Sequence, residues 1–231
     1  MYRSVAAAST TTSAPFDFES ARFNMVEQQI RTWDVLDQNV LNLLFRVRRE
    51  DYVPGAYREL AFADLEIPLG DGEHMWTPKM EARVVQELEL RPDESVLEIG
   101  TGSGYLCALL ASRAADVTSV EILPRLAGEA QAKLRRGGFA NARVETGDGA
   151  QGYANAEYDA IVLTGSTPIL PDSWLSQLKP GGRLFAVVGD APVMSARLVR
   201  WTAPGAIASE SLFETVIRPL RNAAQPRRFV F

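Results

Sequence analysis

Three carboxylates and a run of alternate glycines are the residues best placed to do chemistry in this chain. Glu98 stands two positions before Gly100-Thr101-Gly102-Ser103-Gly104, Glu121 ends a later apolar run, and Asp148 sits inside Gly147-Asp148-Gly149. The apolar stretch from Val96 leads into the glycines, and Leu106-Cys107-Ala108-Leu109-Leu110-Ala111 follows them. That order predicts a strand, a tight turn and the start of a helix. Glycine lets the backbone turn sharply and approach a ligand where a Cβ would intervene. Free N–H groups at the helix start then offer donors to a ligand's carboxylate or hydroxyls. A dinucleotide fingerprint needs G-x-G-x-x-G, and Tyr105 stands where its third glycine should be. Glu98 would also set negative charge against a pyrophosphate, so it argues for a cationic group there instead.

The stretches around these residues predict the scaffold that must position them. Asp116–Glu121 reads as a second parallel strand ending in a carboxylate. An acidic residue roughly 20 positions after such a turn is where an α/β fold holds ribose hydroxyls, and two carboxylate oxygens can accept both protons. Asn141–Glu145 predicts a third strand, after which Asp148 is placed either to accept from an adenine amino group or to serve as a plain turn residue. Tyr158–Thr164 has the continuous apolar character of a parallel strand covered on both faces. Beyond it come a short helix over Pro171–Leu178, a turn at Lys179–Gly182 and a strand over Arg183–Val188. Ser195–Trp201 and Ser211–Leu220 read as closing strands.

Upstream, Phe16 to Val53 reads as helical, with Asp37 as an N-cap. Arg46, Arg48, Arg49, Glu50 and Asp51 are expected on a solvated face. Proline and glycine mark Ile67–Pro78 as a loop, carrying Met75, Trp76 and the only histidine, His74. Thr77 before Pro78 fits an N-cap with proline at the first helical position of Lys79–Leu90. His74 is open to two readings, a structural hydrogen-bonding residue or a participant in catalysis.

The 231 residues suit one α/β domain, read as a disordered lead-in over 1–16, a domain over 17–220 and a tail over 221–231. Residues 17–66 form the domain's N-terminal helical cap. A net charge of −5 gives no general attraction to nucleic acid, and no apolar run approaches the roughly 20 residues of a membrane span. The single Cys107 excludes an internal disulfide framework and a multi-cysteine zinc site, so no metal is expected. A cytoplasmic location is the default expectation.

E-x-G-x-G-x-G resembles the first motif of S-adenosylmethionine-dependent methyltransferases, in which Glu98 suits the ammonium of a methionine moiety. With Asp51-Tyr52-Val53-Pro54, Ile67-Pro68-Leu69-Gly70-x-Gly72, Gly147-Asp148-Gly149, Gln177-Leu178-Lys179-x-Gly181-Gly182-Arg183-Leu184 and Thr215–Leu220, the chain resembles the protein-L-isoaspartate O-methyltransferases. That resemblance implies a Rossmann-like, mostly parallel seven-stranded sheet with helices on both faces. It implies S-adenosylmethionine as methyl donor, S-adenosylhomocysteine as product, and isoaspartyl carboxylates of damaged proteins or peptides as acceptors. Cofactor contacts are expected from Glu98, Gly100, Thr101, Gly102, Ser103, Gly104, Glu121, Ile122, Asp148, Gly149 and Thr164. One place departs from the family's Gln-Thr-Ile-Ser-Gln-Pro, since Trp76 occupies the serine position, leaving Thr77 or His74 as candidate catalytic groups. Two outcomes are open. Trp76 lines the acceptor side and weakens activity on isoaspartyl peptides, or it turns inward and Thr77 supplies the hydroxyl. A methyltransferase acting on another acceptor and a non-catalytic module that only binds the cofactor are the competing functions.

Overall fold

The computed structural model describes residues 15–153, 156–203 and 206–226, so most of the expected lead-in and residues 227–231 of the expected tail lie outside it. Asp17 and Asp37 open the two cap helices, α1 (Phe18–Asn24) and α2 (Gln38–Arg46). Each carboxylate accepts backbone N–H groups of the first turn, Asp37 from Asn39 at 2.8 Å. Between the helices the chain is wound differently: Met25–Ile30 is a π-helix and Arg31–Trp33 a 3-10 turn. Arg46, Arg48 and Asp51 are exposed as expected, but Arg49 and Glu50 are buried, each 1% exposed. A buried charge persists where it is paired. Arg49 meets Glu81 at 2.9 Å and donates to the carbonyls of Ala61 and Trp76, while Glu50 pairs with Arg22.

Ile67–Pro78, expected as a loop, contains a hairpin of β1 (Ile67–Gly70) and β2 (Glu73–Met75). Asp71 and Gly72 at its tip both have positive φ, 54° and 83°, the backbone that two-residue hairpins prefer. The proline and glycine content that reads as a loop is thus the content of a tight turn. Thr77 then takes the N-cap position of α3 (Pro78–Leu88), without a side-chain cap bond.

The rest alternates strand and helix: β3 (Ser95–Ile99), α4 (Tyr105–Ala111), β4 (Asp116–Glu121), α5 (Pro124–Arg136), β5 (Ala142–Thr146), β6 (Tyr158–Thr167) and α6 (Asp172–Leu175). Three strands follow, β7 (Leu178–Asp190), β8 (Val193–Ala203) and β9 (Ala206–Glu214). They form a seven-stranded sheet in the order β5-β4-β3-β6-β7-β8-β9, parallel from β5 to β7 and closed by antiparallel β8 and β9. Side chains alternate across it. Val96, Ala160, Val162 and Phe185 pack toward α3, α4 and the cap, while Leu97, Ile161, Leu163 and Leu184 pack toward Trp174 of α6. β7 runs through Lys179–Gly182, expected as a turn, and α6 is shorter than expected. β9 begins before Ser211 and stops at Glu214, so residues 215–220 are not a closing strand. They cross instead to the end of β6, where Ser166 N donates to Arg218 O at 2.8 Å and Leu220 N to Ser166 O at 2.9 Å. Among the described residues no helix is long and apolar enough to cross a membrane.

The chain runs outward from β3 through β4 to β5, then returns to β6 on the other side of β3. Such a reversal opens a crevice above the strand carboxyl ends, where open α/β sheets bind ligands.

Candidate active site

At that crevice the backbone leaves β3 through Gly100, whose φ is +96°. A Cβ built there would lie 2.1 Å from the Thr164 hydroxyl oxygen, so no other residue fits. Thr164 donates to the carbonyls of Ile99 at 2.8 Å and Gly100 at 2.6 Å, tying the exit of β3 to β6. Gly104 serves a different purpose from the one expected of it. It caps α4 at φ +84°, and its Cβ would meet Ala130 of α5 at 3.0 Å, so it allows helix–helix approach and does not line the cleft.

The three carboxylates arrive by three strand ends and differ in environment. Glu98 is fully buried; one oxygen accepts from the Ser119 hydroxyl, which also meets Thr101 Oγ1 at 2.5 Å. Its other oxygen, Oε1, has no hydrogen-bond partner. Burial pushes this carboxyl up to about 8 against the lowering effect of the Ser119 hydroxyl and the neighbouring Cys107 thiol, and the negative charges of Glu121 and Glu81 add to the rise. Glu121 accepts from Gly102 N at 2.8 Å and Leu123 N at 3.0 Å, so it pins the glycine turn from below. Asp148 accepts from Ala150 N at 2.9 Å as a turn residue does, and from Asn222 Nδ2 at 2.8 Å.

Gly100, Gly102, Glu121, Ile122, Asp148, Gly149 and Thr164 line one cleft. Glu98, Thr101 and Ser103 line a hollow that adjoins it through Gly100, Gly102 and Thr164. His74 and Trp76 border both. Trp76 nonetheless turns inward: it is 8% exposed, and its ring meets Phe185 edge-on at 6.5 Å. Thr77 lines neither space, because the chain has already turned into α3 there. His74 Nδ1 lies 3.3 Å from the Gly72 carbonyl.

The end of the expected closing strand, with the first residue of the expected tail, supplies wall residues that sequence reasoning missed. Arg218, Pro219, Leu220 and Arg221 all line the cleft. Arg221 pairs with Glu73 at 2.7 Å and donates to Asp71 O at 2.8 Å, and Arg125 of α5 holds Asp71 at 2.7 Å. The hairpin tip is therefore clamped from two sides over the strand ends. Pro219 interrupting an otherwise strand-like run was the available signal; the partners across the cleft, distant in sequence, were not visible.

Losing Glu121 would remove the anchor of Gly102 and, with it, the ribose contact expected of this carboxylate. A charge-assisted hydrogen bond contributes about 1.5–3 kcal/mol, so Glu121→Ala is expected to weaken S-adenosylmethionine binding roughly tenfold to a hundredfold in titration calorimetry. Unchanged affinity would remove Glu121 from that role.

Residues 20–223 match the family model described as protein-L-isoaspartate(D-aspartate) O-methyltransferase. A protein-L-isoaspartate O-methyltransferase of Methanoculleus marisnigri is 44% identical over 169 residues, covering 73% of this chain and 77% of its own. One from Myxococcus xanthus is 41% identical over 190 residues, covering 80% and 90%. Among solved structures, a Plasmodium falciparum protein described as a putative protein-L-isoaspartate O-methyltransferase, in complex with S-adenosyl-L-homocysteine, superposes with a TM-score of 0.73 at 18% identity. It covers 88% of this chain and 98% of its own, a likeness of fold.

Proposed function

We propose, for a chain that belongs to the protein-L-isoaspartate(D-aspartate) O-methyltransferase family, a specific assignment of its cleft. The protein is an S-adenosylmethionine-dependent methyltransferase of the isoaspartyl type, and the family acts on protein substrates with isoaspartyl residues. In our reading Glu98 meets the cofactor's ammonium, Glu121 the ribose hydroxyls and Asp148 the adenine amino group. The Gly100–Gly102 backbone comes close because no Cβ intervenes. The observation that carries this reading is the buried, unpartnered Oε1 of Glu98 beside an open glycine turn. A buried acceptor without a partner is costly, and a cationic ligand would satisfy it.

Bound there, the cofactor supplies an electrophilic methyl group. An isoaspartyl carboxylate is already a nucleophile at neutral pH. Its oxygen bonds to the methyl carbon as the carbon–sulfur bond breaks, the electron pair stays on sulfur, and no proton has to move. Holding the two partners in line and excluding water therefore carries the rate, with no side-chain base required. His74 and Trp76 shape the acceptor side, and Thr77, outside the cleft, is given no role. With Trp76 packed inward on Phe185, the mouth stays open to a peptide. On composition alone, the same reading places the protein in the cytoplasm.

The test incubates the purified protein with S-adenosylmethionine and an isoaspartyl peptide, following S-adenosylhomocysteine formation and methanol released from the ester. Turnover of that peptide, and none of its aspartyl counterpart, is expected. Cofactor binding by calorimetry without turnover would sink the acceptor assignment and favour a different acceptor.

A further inference from the structure

Two arginines line the cleft, and they are in different states. Arg221 is bonded to Glu73 and to the Asp71 carbonyl. Arg218, among the described residues, makes no hydrogen bond, ion pair or ring contact through its side chain. Its backbone, by contrast, is fixed. Ser166 N donates to Arg218 O at 2.8 Å, Ser166 Oγ to Ile217 O at 3.3 Å, and Leu220 N to Ser166 O at 2.9 Å. The root of the side chain is thus held on the end of β6, one strand from the glycine turn, while the guanidinium is free.

An unpaired arginine on an open surface needs no explanation. Arg218 is itself exposed, but it shares the cleft wall with Glu66 and Glu73 and pairs with neither. Glu73 is already occupied by Arg221, so Arg218 is the cleft's only unengaged cation among the described residues. A peptide carboxylate entering the cleft loses water and meets the carboxylates of Glu66 and Glu73, an unfavourable approach without a counter-charge.

We propose that Arg218 receives the free carboxylate of the methyl acceptor at the mouth of the cleft. The inference rests on reading the cleft as the methyl-transfer site. A guanidinium N–H held by one carboxylate oxygen leaves the second oxygen available to the donor. The carboxylate oxygen forms the new carbon–oxygen bond, the carbon–sulfur bond breaks with its electrons on sulfur, and the acceptor's charge is lost. Charge-assisted hydrogen bonds are roughly twice as strong as neutral ones, so the same contact that draws in the acid loosens on the ester. Arg218 therefore selects an anionic acceptor and favours release of the neutral product.

The test measures binding as well as turnover, using the full chain saturated with S-adenosylhomocysteine. Calorimetry compares an isoaspartyl peptide with its methyl ester in the unmodified protein, in Arg218→Ala and in Arg218→Lys. The unmodified complex is expected to prefer the acid roughly tenfold, Arg218→Ala to lose that preference, and Arg218→Lys to keep part of it. Affinity for the ester and for S-adenosylhomocysteine should stay unchanged in both variants, which a merely structural role would not permit. In the rate assay, KM for the peptide should rise about tenfold in Arg218→Ala with kcat nearly preserved. Equal binding of acid and ester by the unmodified protein, or an undiminished preference in Arg218→Ala, overturns the proposal. Selective, Arg218-dependent binding without turnover leaves Arg218 in place and refutes the isoaspartyl acceptor instead.

Discussion

Arg49→Ala is expected to lower the free energy of unfolding by about 3–5 kcal/mol, the usual cost of breaking a buried ion pair from one side. Arg49 and Glu81 are 1% and 3% exposed as side chains and 2.9 Å apart. Burial already raises Glu81 to about 7, with the charge of Arg49 the largest effect pulling it down. Removing Arg49 leaves Glu81 in the interior with no partner, and also frees the carbonyls of Ala61 and Trp76. The sign with pH follows. Glu81 is raised above its ordinary 4.5, so its contribution to stability falls as pH rises from about 4.5, and the fall must extend further without Arg49. Urea unfolding at several pH values should show a variant that weakens more steeply from mildly acidic to neutral pH than the parent. The double variant Arg49→Met, Glu81→Leu should recover much of the loss, because isosteric apolar pairs often replace buried ion pairs without cost. A loss under about 1 kcal/mol in Arg49→Ala would mean the pair is hydrated. Since Arg49 holds the carbonyl of Trp76, the single variant should also loosen the cleft wall.

That pair also marks where sequence reading reached its limit. Arg49 and Glu50 fall in a charged run, and a charged run is ordinarily solvated; nothing local to it reveals Glu81 or Arg22 waiting on other elements. The glycine turn was legible because its chemistry is local: residues Val96–Tyr105 carry strand, turn and helix in one stretch, and the strand-end carboxylates recur at the spacing of an α/β unit. The β1–β2 hairpin was half legible, since Asp71-Gly72 is a turn signal whether the flanks are strand or loop. Residues 215–220 misled because their apolar content suits a strand, whereas only Thr215 still bonds β8, through Met194 O, and Arg218 and Leu220 bond Ser166 at the end of β6. The fate of Trp76 was likewise a tertiary matter: its inward turn depends on Phe185 of β7, far along the chain.

Glu98→Gln should weaken S-adenosylmethionine binding roughly a hundredfold while raising the melting temperature of the cofactor-free protein. Both effects come from one buried carboxyl with one unpartnered oxygen. Raised by burial from its ordinary 4.5 to about 8, it keeps its proton in the folded protein at neutral pH. Below about 4.5 both folded and unfolded chains hold that proton; between about 4.5 and 8 only the unfolded chain releases it, and stability falls with rising pH. Glutamine has no proton to lose, so the variant's melting temperature should exceed the parent's most clearly near pH 8. In the proposed assignment the ligand's ammonium favours the ionised carboxylate, so binding is expected to expel a proton. Affinity of the parent should therefore climb with pH toward about 8 and level off above it, and calorimetry in buffers of different ionisation enthalpy should register the released proton. A glutamine amide turns donors toward the ammonium and cannot ionise. It forfeits a charge-assisted hydrogen bond of up to about 3 kcal/mol, a factor of roughly a hundred, and with it the pH slope. If Glu98→Gln binds as tightly as the parent, or if the parent's affinity is flat between about pH 6 and 8, the ammonium contacts another group. Loss of affinity together with a gain in thermal stability is the signature expected of a group kept for its ligand at the expense of the fold.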